Sequence, residues 1–247
     1  MMPRIVAPET LDSLAVDDPA AMRSRRDLRR VHRVMGTRSI VVHGLKSVTA
    51  SRRQAVPLRV LELGAGDGSL MLGVARALGS TWPPVELTLL DAQALVDRDT
   101  IERYACLGWK AVPQVVDVLD WAADTDHSPF EGSAESRWDL IIANLFLHHF
   151  EGAQFATLLK AIATRAHCFF ACEPRRAWLA LAGSHMVGAI GANKVTRQDA
   201  VLSVHAGFCR DEISALWPAQ GVDWQIREYS AGFFSHCFFA QHVKANA

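Results

Sequence analysis

Two features that often reveal function are missing from this sequence: an excess of one charge and a paired-cysteine motif. Basic and acidic residues number 26 each, so the formal net charge at pH 7 is zero. A balanced chain has no overall attraction for nucleic acid or for an anionic membrane. The five cysteines form no C-x-x-C pair and no signal-peptide pattern is present, so we expect a reducing cytoplasmic location without a disulfide framework.

A long hydrophobic run is missing as well. The longest nearly apolar stretch, residues 177–193, is shorter than the roughly 20 residues that cross a bilayer, and it contains Ser184 and His185. We therefore expect a buried or pocket-lining helix there and no membrane span. Otherwise the 247-residue chain has ordinary globular composition, with 50% hydrophobic and 21% charged residues, and can bury a sizeable core.

Apolar segments of strand and helix character alternate along the central part of the chain. Continuous apolar character, as expected for a parallel strand covered on both faces, marks residues 58–64, and further strands are predicted over 85–91, 112–118, 138–144 and 167–173. Helices are predicted over 69–79, 99–108, 151–166 and 209–218, and a hairpin over 223–243. The pattern predicts an α/β fold, a doubly wound and mostly parallel seven-stranded sheet with a terminal antiparallel hairpin.

Two segments lie outside this alternating pattern. Residues 1–55 are predicted to form an N-terminal helical segment, joined by a linker around 51–57 to a main domain spanning 56–247. Residues 175–208 follow the fifth strand and are too many for a simple connection. We expect them to form a helical insert in the main domain.

The N-terminal segment contains one clearly delimited helix. Asp18 is a suitable N-cap, Pro19 a suitable first helical residue, and Gly36 a stop signal. Residues 1–16 show little periodicity and are predicted to be loosely ordered. The arginines within 23–33 indicate either RNA contact or the solvated face of an amphipathic helix, and the lack of interleaved aromatic residues favours the solvated face.

The segment VLELGAGDG, residues 60–68, places three glycines in five positions directly after a predicted strand. Glycine allows otherwise strained dihedral angles and removes the β-carbons that would hold a ligand away. Ligands of doubly wound sheets bind beyond the carboxyl ends of the strands. We therefore expect a flat, extended cofactor to lie across this turn.

The residues of the turn narrow the kind of cofactor. Ser69 stands where the dinucleotide fingerprint needs glycine or alanine, and no Gly-Lys-Ser/Thr phosphate loop is present. Glu62 and Asp67 would repel a phosphate group. An acidic, glycine-rich turn instead suits a ligand that carries an ammonium and a sulfonium, with a dehydrogenase as the formal alternative.

Four motifs in order carry a family resemblance: VLELGAGDG, LTLLDA, VVDV and WDLIIANLFLHHF. Their order and spacing resemble the class I S-adenosylmethionine-dependent methyltransferases, in particular the UbiE-like enzymes that act on small molecules. The resemblance covers residues 56–174, and the terminal hairpin matches the last two strands of that Rossmann-like fold. It implies S-adenosylmethionine as the cofactor.

The resemblance also implies which residues bind the cofactor: Glu62, Gly64, Ala65, Gly66, Asp67, Asp91, Ala92, Asp117, Val118, Asn144 and Leu145. The glycine turn would contact the methionine part, with the neighbouring acids near its amino group. Asp91 would bind the ribose hydroxyls, and Asp117 the adenine amino group. Two simpler interpretations stay open: a surface position for Glu62, and a helix N-cap role for Asp117 or Asp120.

The same resemblance suggests a catalytic group. In related natural-product methyltransferases, a histidine after the fourth strand is supported by an acid at the end of the fifth. His149 is therefore the candidate general base, His148 its substitute, and Glu173 the residue that orients or polarises it. A purely structural role for both histidines stays open. The lid and substrate segment 1–55 and the insert are expected to line the acceptor pocket.

The absence of motifs for other acceptors favours a small molecule. The chain has no [DN]PP[YF] motif for amino groups of nucleobases, no Pro-Cys pair for cytosine, and no acids after the fourth strand for a metal ion. We expect metal-independent O-methylation of a phenolic or polyketide-like acceptor. The alternatives are C-methylation of a quinone or lipid-like precursor, and a non-catalytic cofactor-binding partner protein. A homodimer is compatible with the sequence.

Overall fold

The computed structural model describes residues 2–46, 56–79, 82–124, 137–218 and 224–243. Its centre is one seven-stranded sheet in the order β3-β2-β1-β4-β5-β7-β6. The strands are β1 Leu58–Leu63, β2 Val85–Asp91, β3 Trp109–Val115, β4 Leu140–Asn144, β5 Cys168–Pro174, β6 Trp224–Ala231 and β7 Ser235–His242. Strands β1 to β5 pair in parallel, whereas β7 is antiparallel to both β5 and β6. The predicted sheet and its terminal hairpin are confirmed.

Nine helices accompany the sheet in the described part of the chain. They are α1 Thr10–Ser13, α2 Pro19–Met35, α3 Thr37–Lys46, α4 Ser69–Leu78, α5 Arg98–Ala105, α6 Val118–Ala123, α7 Gly152–Arg165, α8 Trp178–His185 and α9 Lys194–Ala206. None of the described helices is long and apolar enough to cross a membrane. The predicted domain boundary at residue 55 and most of the predicted linker lie outside the described residues.

Apolar cores cover both faces of the sheet. One core includes Val41 and Met71, from α3 and α4, while the other includes Phe155 and Leu158 from α7. Helix α3 packs very close to the sheet, because a β-carbon on Gly44 would lie 2.5 Å from the ring of Phe170. The N-terminal segment is therefore anchored on the main domain.

The strand order reverses between β1 and β4. From β1 the chain builds outward to β2 and β3, and from β4 it builds in the opposite direction. The carboxyl ends of β1 and β4 are neighbours, because Leu63 pairs with Ala143. A crevice at such a reversal is where open α/β sheets bind ligands.

Helix α2 has the predicted ends. The Asp18 side chain accepts hydrogen bonds from the backbone N–H groups of Ala20 and Ala21, and Gly36 has a left-handed φ of 70°. The buried face of the helix is partly polar. Ser24 lies 2.7 Å from the Thr196 hydroxyl of α9, so the N-terminal helices are tied to the insert by buried hydrogen bonds.

Three local predictions are wrong. The strand predicted over 112–118 is shifted, since β3 ends at Val115 and Val118 begins α6. Residues 209–218 contain only a 3-10 turn, Ser214–Leu216, rather than a helix. Carboxylates hold this stretch, because Glu212 accepts from the N–H of Cys209 and Glu228 accepts from the N–H of Ser214. Such contacts between the side chain of a distant strand and the backbone leave no trace in the local pattern.

The expected looseness of residues 1–16 is also wrong. The Arg4 guanidinium donates to the carbonyl groups of Ala206, at 2.8 Å, and Phe150, at 2.9 Å. The N–H groups of Thr10 and Leu11 donate to the carboxylate of Asp199 in α9. The segment lacks periodicity because it is held through individual polar bonds rather than through an apolar face.

Candidate active site

A cavity of about 1060 Å³ lies over the carboxyl ends of β1, β2 and β4. The glycine turn forms part of its floor, and helices α2, α8 and α9 contribute to its walls. Apolar side chains of the walls include Leu28, Val31, Ala180, Val187 and Ile190. The N-terminal helices and the insert thus enclose the space above the sheet.

All three glycines of the turn need a left-handed backbone, but the space beside Gly64 and the space beside Gly66 differ. All have left-handed φ angles, 66° for Gly64, 57° for Gly66 and 70° for Gly68. A β-carbon on Gly64 would lie 2.2 Å from the ring of Phe146, so packing within the protein excludes any larger residue. A β-carbon on Gly66 would have no neighbour within 4 Å. Gly66 therefore presents bare backbone at the cavity.

Asp91 holds this turn in place. Its Oδ2 accepts from the N–H of Gly66 at 2.8 Å, and its Oδ1 accepts from the N–H of Gln93 at 2.9 Å. Both Asp91 and the following Ala92 line the cavity. The carboxylate at the end of β2 thus organises the turn after β1.

Glu62 and Asn144 form a buried polar pair at the floor of the cavity. Asn144 Nδ2 lies 3.5 Å from Glu62 Oε1, and Glu62 is only 2% exposed. The surface position that the sequence left open for Glu62 is therefore wrong. The second oxygen of Glu62 and the amide oxygen of Asn144 have no hydrogen-bond partner, although both residues line the cavity. Burial raises the pKa of Glu62 to about 8.

Asp117 is the N-cap of α6. Its Oδ1 accepts from the N–H of Leu119 at 2.7 Å, as in one of the interpretations that the sequence left open. Asp117 and Val118 also line the cavity, beyond Asp91. Capping occupies one carboxylate oxygen and does not exclude ligand binding by the other.

Three further residues complete this end of the cavity. Asp67 accepts from the N–H of Ser69 at 3.0 Å and lies 3.5 Å from the guanidinium of Arg29 in α2. Leu145 follows β4 with a left-handed φ of 50° and donates its N–H to the Cys172 carbonyl. Ala65 is buried and lines the cavity as well.

At the other end of the cavity, Glu173 pairs with His148. Glu173 Oε2 lies 2.9 Å from Nδ1 of His148, and the two carboxylate oxygens also accept from the backbone N–H groups of Phe146, Leu147 and His148. The sequence paired Glu173 with His149, and the structure places it on the preceding histidine instead. Glu173 is completely buried, so these bonds are shielded from water.

The two histidines have opposite electrostatic surroundings. Burial lowers the pKa of His148, but its contacts with Glu173 and with Glu9, 3.3 Å from Nε2, outweigh burial and raise it to about 9. Burial and the neighbouring His148 lower the pKa of His149 to about 4. His149 Nδ1 lies 3.3 Å from the carboxylate of Asp12. At neutral pH the first ring is charged and the second is neutral.

Similarity to known proteins is found in structure rather than in sequence. No family model matches the sequence, and no curated protein does. The plantazolicin methyltransferase BpumL, solved with SAH, has a TM-score of 0.60 at 15% identity over 92% of both chains. An O-methyltransferase family protein from Burkholderia thailandensis has a TM-score of 0.54 at 16% identity, over 90% of this chain and 61% of the other. The CurJ carbon methyltransferase has a TM-score of 0.55 at 15% identity, over 84% of this chain and 54% of the other.

This chain has the class I methyltransferase fold. The strand order and the antiparallel β7 are those of this fold. Identities near 15% establish the fold and not the reaction.

The sequence did not predict the site residues that come from segments outside the sheet. Glu9 and Asp12 come from the N-terminal segment, and Ser203 of α9 donates to Glu9. Burial raises the pKa of Glu9, but bonds from His148 and Ser203 outweigh it, so the carboxylate stays ionised. No local pattern distinguishes these residues, since their partners lie far away in the chain.

Proposed function

We propose that this protein is an S-adenosylmethionine-dependent methyltransferase that acts on a small molecule. The observation that carries the proposal is the pair of orphaned oxygens on Glu62 and Asn144, buried beside the bare backbone of Gly66. Buried acceptors without a partner are costly unless a ligand supplies a donor. An ammonium group is such a donor, and the SAH bound to the structural neighbour BpumL is the demethylated form of this cofactor.

The residues present fit the whole cofactor. Glu62 and Asn144 would accept from its amino group, and Asp91 would accept from the ribose hydroxyls while it holds the turn. Asp117 and Val118 would lie at the adenine. When bound, the cofactor supplies an electrophilic methyl group on a sulfonium.

The acceptor would occupy the other end of the cavity, beside the histidines. His149 is neutral at neutral pH, so its ring can accept the proton of an acceptor hydroxyl. His148, held between Glu173 and Glu9, would contribute a fixed positive charge. The apolar walls suit a phenolic or polyketide-like acceptor.

Carbon methylation is the second candidate. The likeness to the CurJ carbon methyltransferase supports it, as does the apolar character of the walls. A quinone or lipid-like precursor would then be the acceptor. A non-catalytic cofactor-binding protein is the third candidate.

The two-segment domain division, a cytoplasmic location and a homodimer stay predictions from the sequence.

Calorimetry with SAH tests the cofactor site. We expect one SAH per chain, with binding at least about tenfold weaker in Glu62→Gln, because glutamine cannot lose a proton to become the anionic acceptor that an ammonium group favours. Glu86→Gln is the matched control, since Glu86 lies at the start of the neighbouring strand β2 and pairs with Lys110. Absence of SAH binding to the wild-type protein would overturn the proposal.

A screen with a labelled methyl donor tests the reaction. Phenols, polyketides and quinones are the acceptors, and NMR of the product locates the new methyl group on oxygen or carbon. We expect His149→Ala to lower turnover about 10²-fold or more with SAH binding retained, as for loss of a general base. SAH binding without turnover of any acceptor would favour the non-catalytic alternative.

A further inference from the structure

One cluster of potential ligand atoms stands out at the acceptor end of the cavity. Glu9, His148 and His149 each offer one ligand atom, and these atoms all lie within 4.8 Å of one another. It is the one group of three such side chains in the part of the chain that the structure describes. We propose that these residues form a binding site for a divalent transition-metal ion, with Zn²⁺ as the reference ion.

The distance between two of the three ligand atoms matches a tetrahedral site. Zinc bonds to nitrogen and oxygen are about 2.0–2.1 Å long, so two ligand atoms on a tetrahedron lie about 3.3 Å apart. Nε2 of His148 lies 3.3 Å from Oε1 of Glu9. The His148 and His149 rings are neighbours, with centroids 4.3 Å apart. The ligand atom of His149 lies within 4.8 Å of the other two.

A carboxylate holds the far ring nitrogen of His148, as is usual for a histidine that binds a metal ion. Its Nδ1 is bound to Glu173, which leaves Nε2 directed toward Glu9 and the cavity. A carboxylate on the far nitrogen of a histidine sets its tautomer and makes it a better ligand. Backbone N–H groups of the loop after β4 hold this carboxylate in turn, so the ring orientation is fixed before an ion arrives.

Three protein ligands leave coordination positions for a substrate. Structural zinc sites are usually closed by a fourth protein ligand, whereas sites that act on substrates keep one position open. All three side chains line the cavity, so the open position faces the space assigned to the acceptor. The ion would bind an acceptor through an oxygen lone pair and orient it. This use of the ion rests on the proposed function, whereas the ion site itself does not.

The inference departs from the metal-independent expectation. The residues ANLF at the end of the fourth strand include no acid. The carboxylate comes instead from Glu9, which is 139 positions from His148. In the ion-bound form His149 is a ligand, so it no longer serves as a base. The competing interpretation is that no ion binds and that charged His148 only forms ion pairs with Glu9 and Glu173.

Metal titration of chelator-treated protein separates these interpretations. Zn²⁺ titrated by calorimetry should bind one ion per chain, and Co²⁺ should give the visible absorption bands of a four-coordinate ion. Glu9→Gln and His149→Ala should each weaken binding at least about tenfold, and Glu173→Gln about 10- to 100-fold. His185→Ala, an exposed histidine in the insert, should bind like wild type.

The metal titrations decide whether the three side chains bind an ion. No stoichiometric ion in the wild-type protein, or unchanged binding in Glu9→Gln, would leave only the ion pair. SAH binding by each variant serves as the check on folding. If the protein binds an ion but not SAH, the metal site stands and the proposed function fails. If it binds SAH but no ion, the proposed function stands and the metal site fails.

Discussion

The carboxylate of Glu173 lies 2.9 Å from Nδ1 of His148 and is completely buried. The same carboxylate accepts three backbone N–H groups from the loop that follows β4. A single side chain at the end of β5 therefore positions the loop that carries both histidines.

Replacement of Glu173 by glutamine should destabilise the protein. The amide group would place N–H donors against backbone N–H groups, leaving buried donors unpaired. We expect the free energy of unfolding to fall by about 2–4 kcal/mol. Urea denaturation measures the change, with Glu151→Gln as the exposed control. Equal stability of both variants would contradict the importance of these bonds.

The stability of the ligand-free protein should depend on Glu62 and on pH. Burial raises the pKa of Glu62 to about 8, so the folded protein keeps a proton that the unfolded chain loses near pH 4.5. The stabilising contribution of this protonated group is complete below about pH 4.5 and is lost as the pH rises toward about 8. Relative to wild type, Glu62→Gln should therefore become more stable across this window and level off above it. Melting temperatures measured between about pH 5 and about pH 9 test this, and parallel curves would contradict it.

Loss of Asp91 should disorganise the turn after β1. Asp91→Ala removes the acceptors of the Gly66 and Gln93 N–H groups and the carboxylate that faces the cavity. We expect SAH binding to weaken at least about tenfold, equivalent to about 1.4 kcal/mol. Calorimetry measures the affinity, and Asp99→Ala, an exposed residue of α5, should bind like wild type. An unchanged affinity would remove Asp91 from the cofactor site.

Loss of Arg4 should release the N-terminal segment. The Arg4 guanidinium bonds three backbone carbonyl groups and lies 4.5 Å from the ring centroid of Phe208. Arg4→Ala should lower the free energy of unfolding by about 1–3 kcal/mol. It should also reduce acceptor turnover more than SAH binding, because Glu9 belongs to the released segment. Denaturation and calorimetry test this, with the exposed Arg26→Ala as the control.

Local patterns were sufficient to predict most of the secondary structure. Continuous apolar segments became β1 and β5 because both strands are buried in a parallel sheet. Asp18 and Gly36 delimit α2 because capping involves only adjacent backbone groups. The prediction failed at 209–218, where a carboxylate from β6 replaces helical hydrogen bonds.

The candidate site was predictable only in part. The glycine turn and Asp91 belong to a motif whose parts lie at the ends of neighbouring strands, so the sequence could bring them together. The reason for Gly64 was different from the predicted one, since the Phe146 ring occupies the space beside it. The partner of Glu173 was assigned to the wrong histidine.

The sequence by itself determined where β1 and β2 end and therefore where a bare, acidic turn meets the cavity. Only the tertiary structure decided that Glu173 contacts His148, that Glu9 reaches the same ring, and that Glu62 is buried. Periodicity and capping act over a few residues, whereas these contacts join atoms far apart in the chain. Burial and charge at the site arise from the completed packing, so the protonation states of the histidines follow from the folded protein alone.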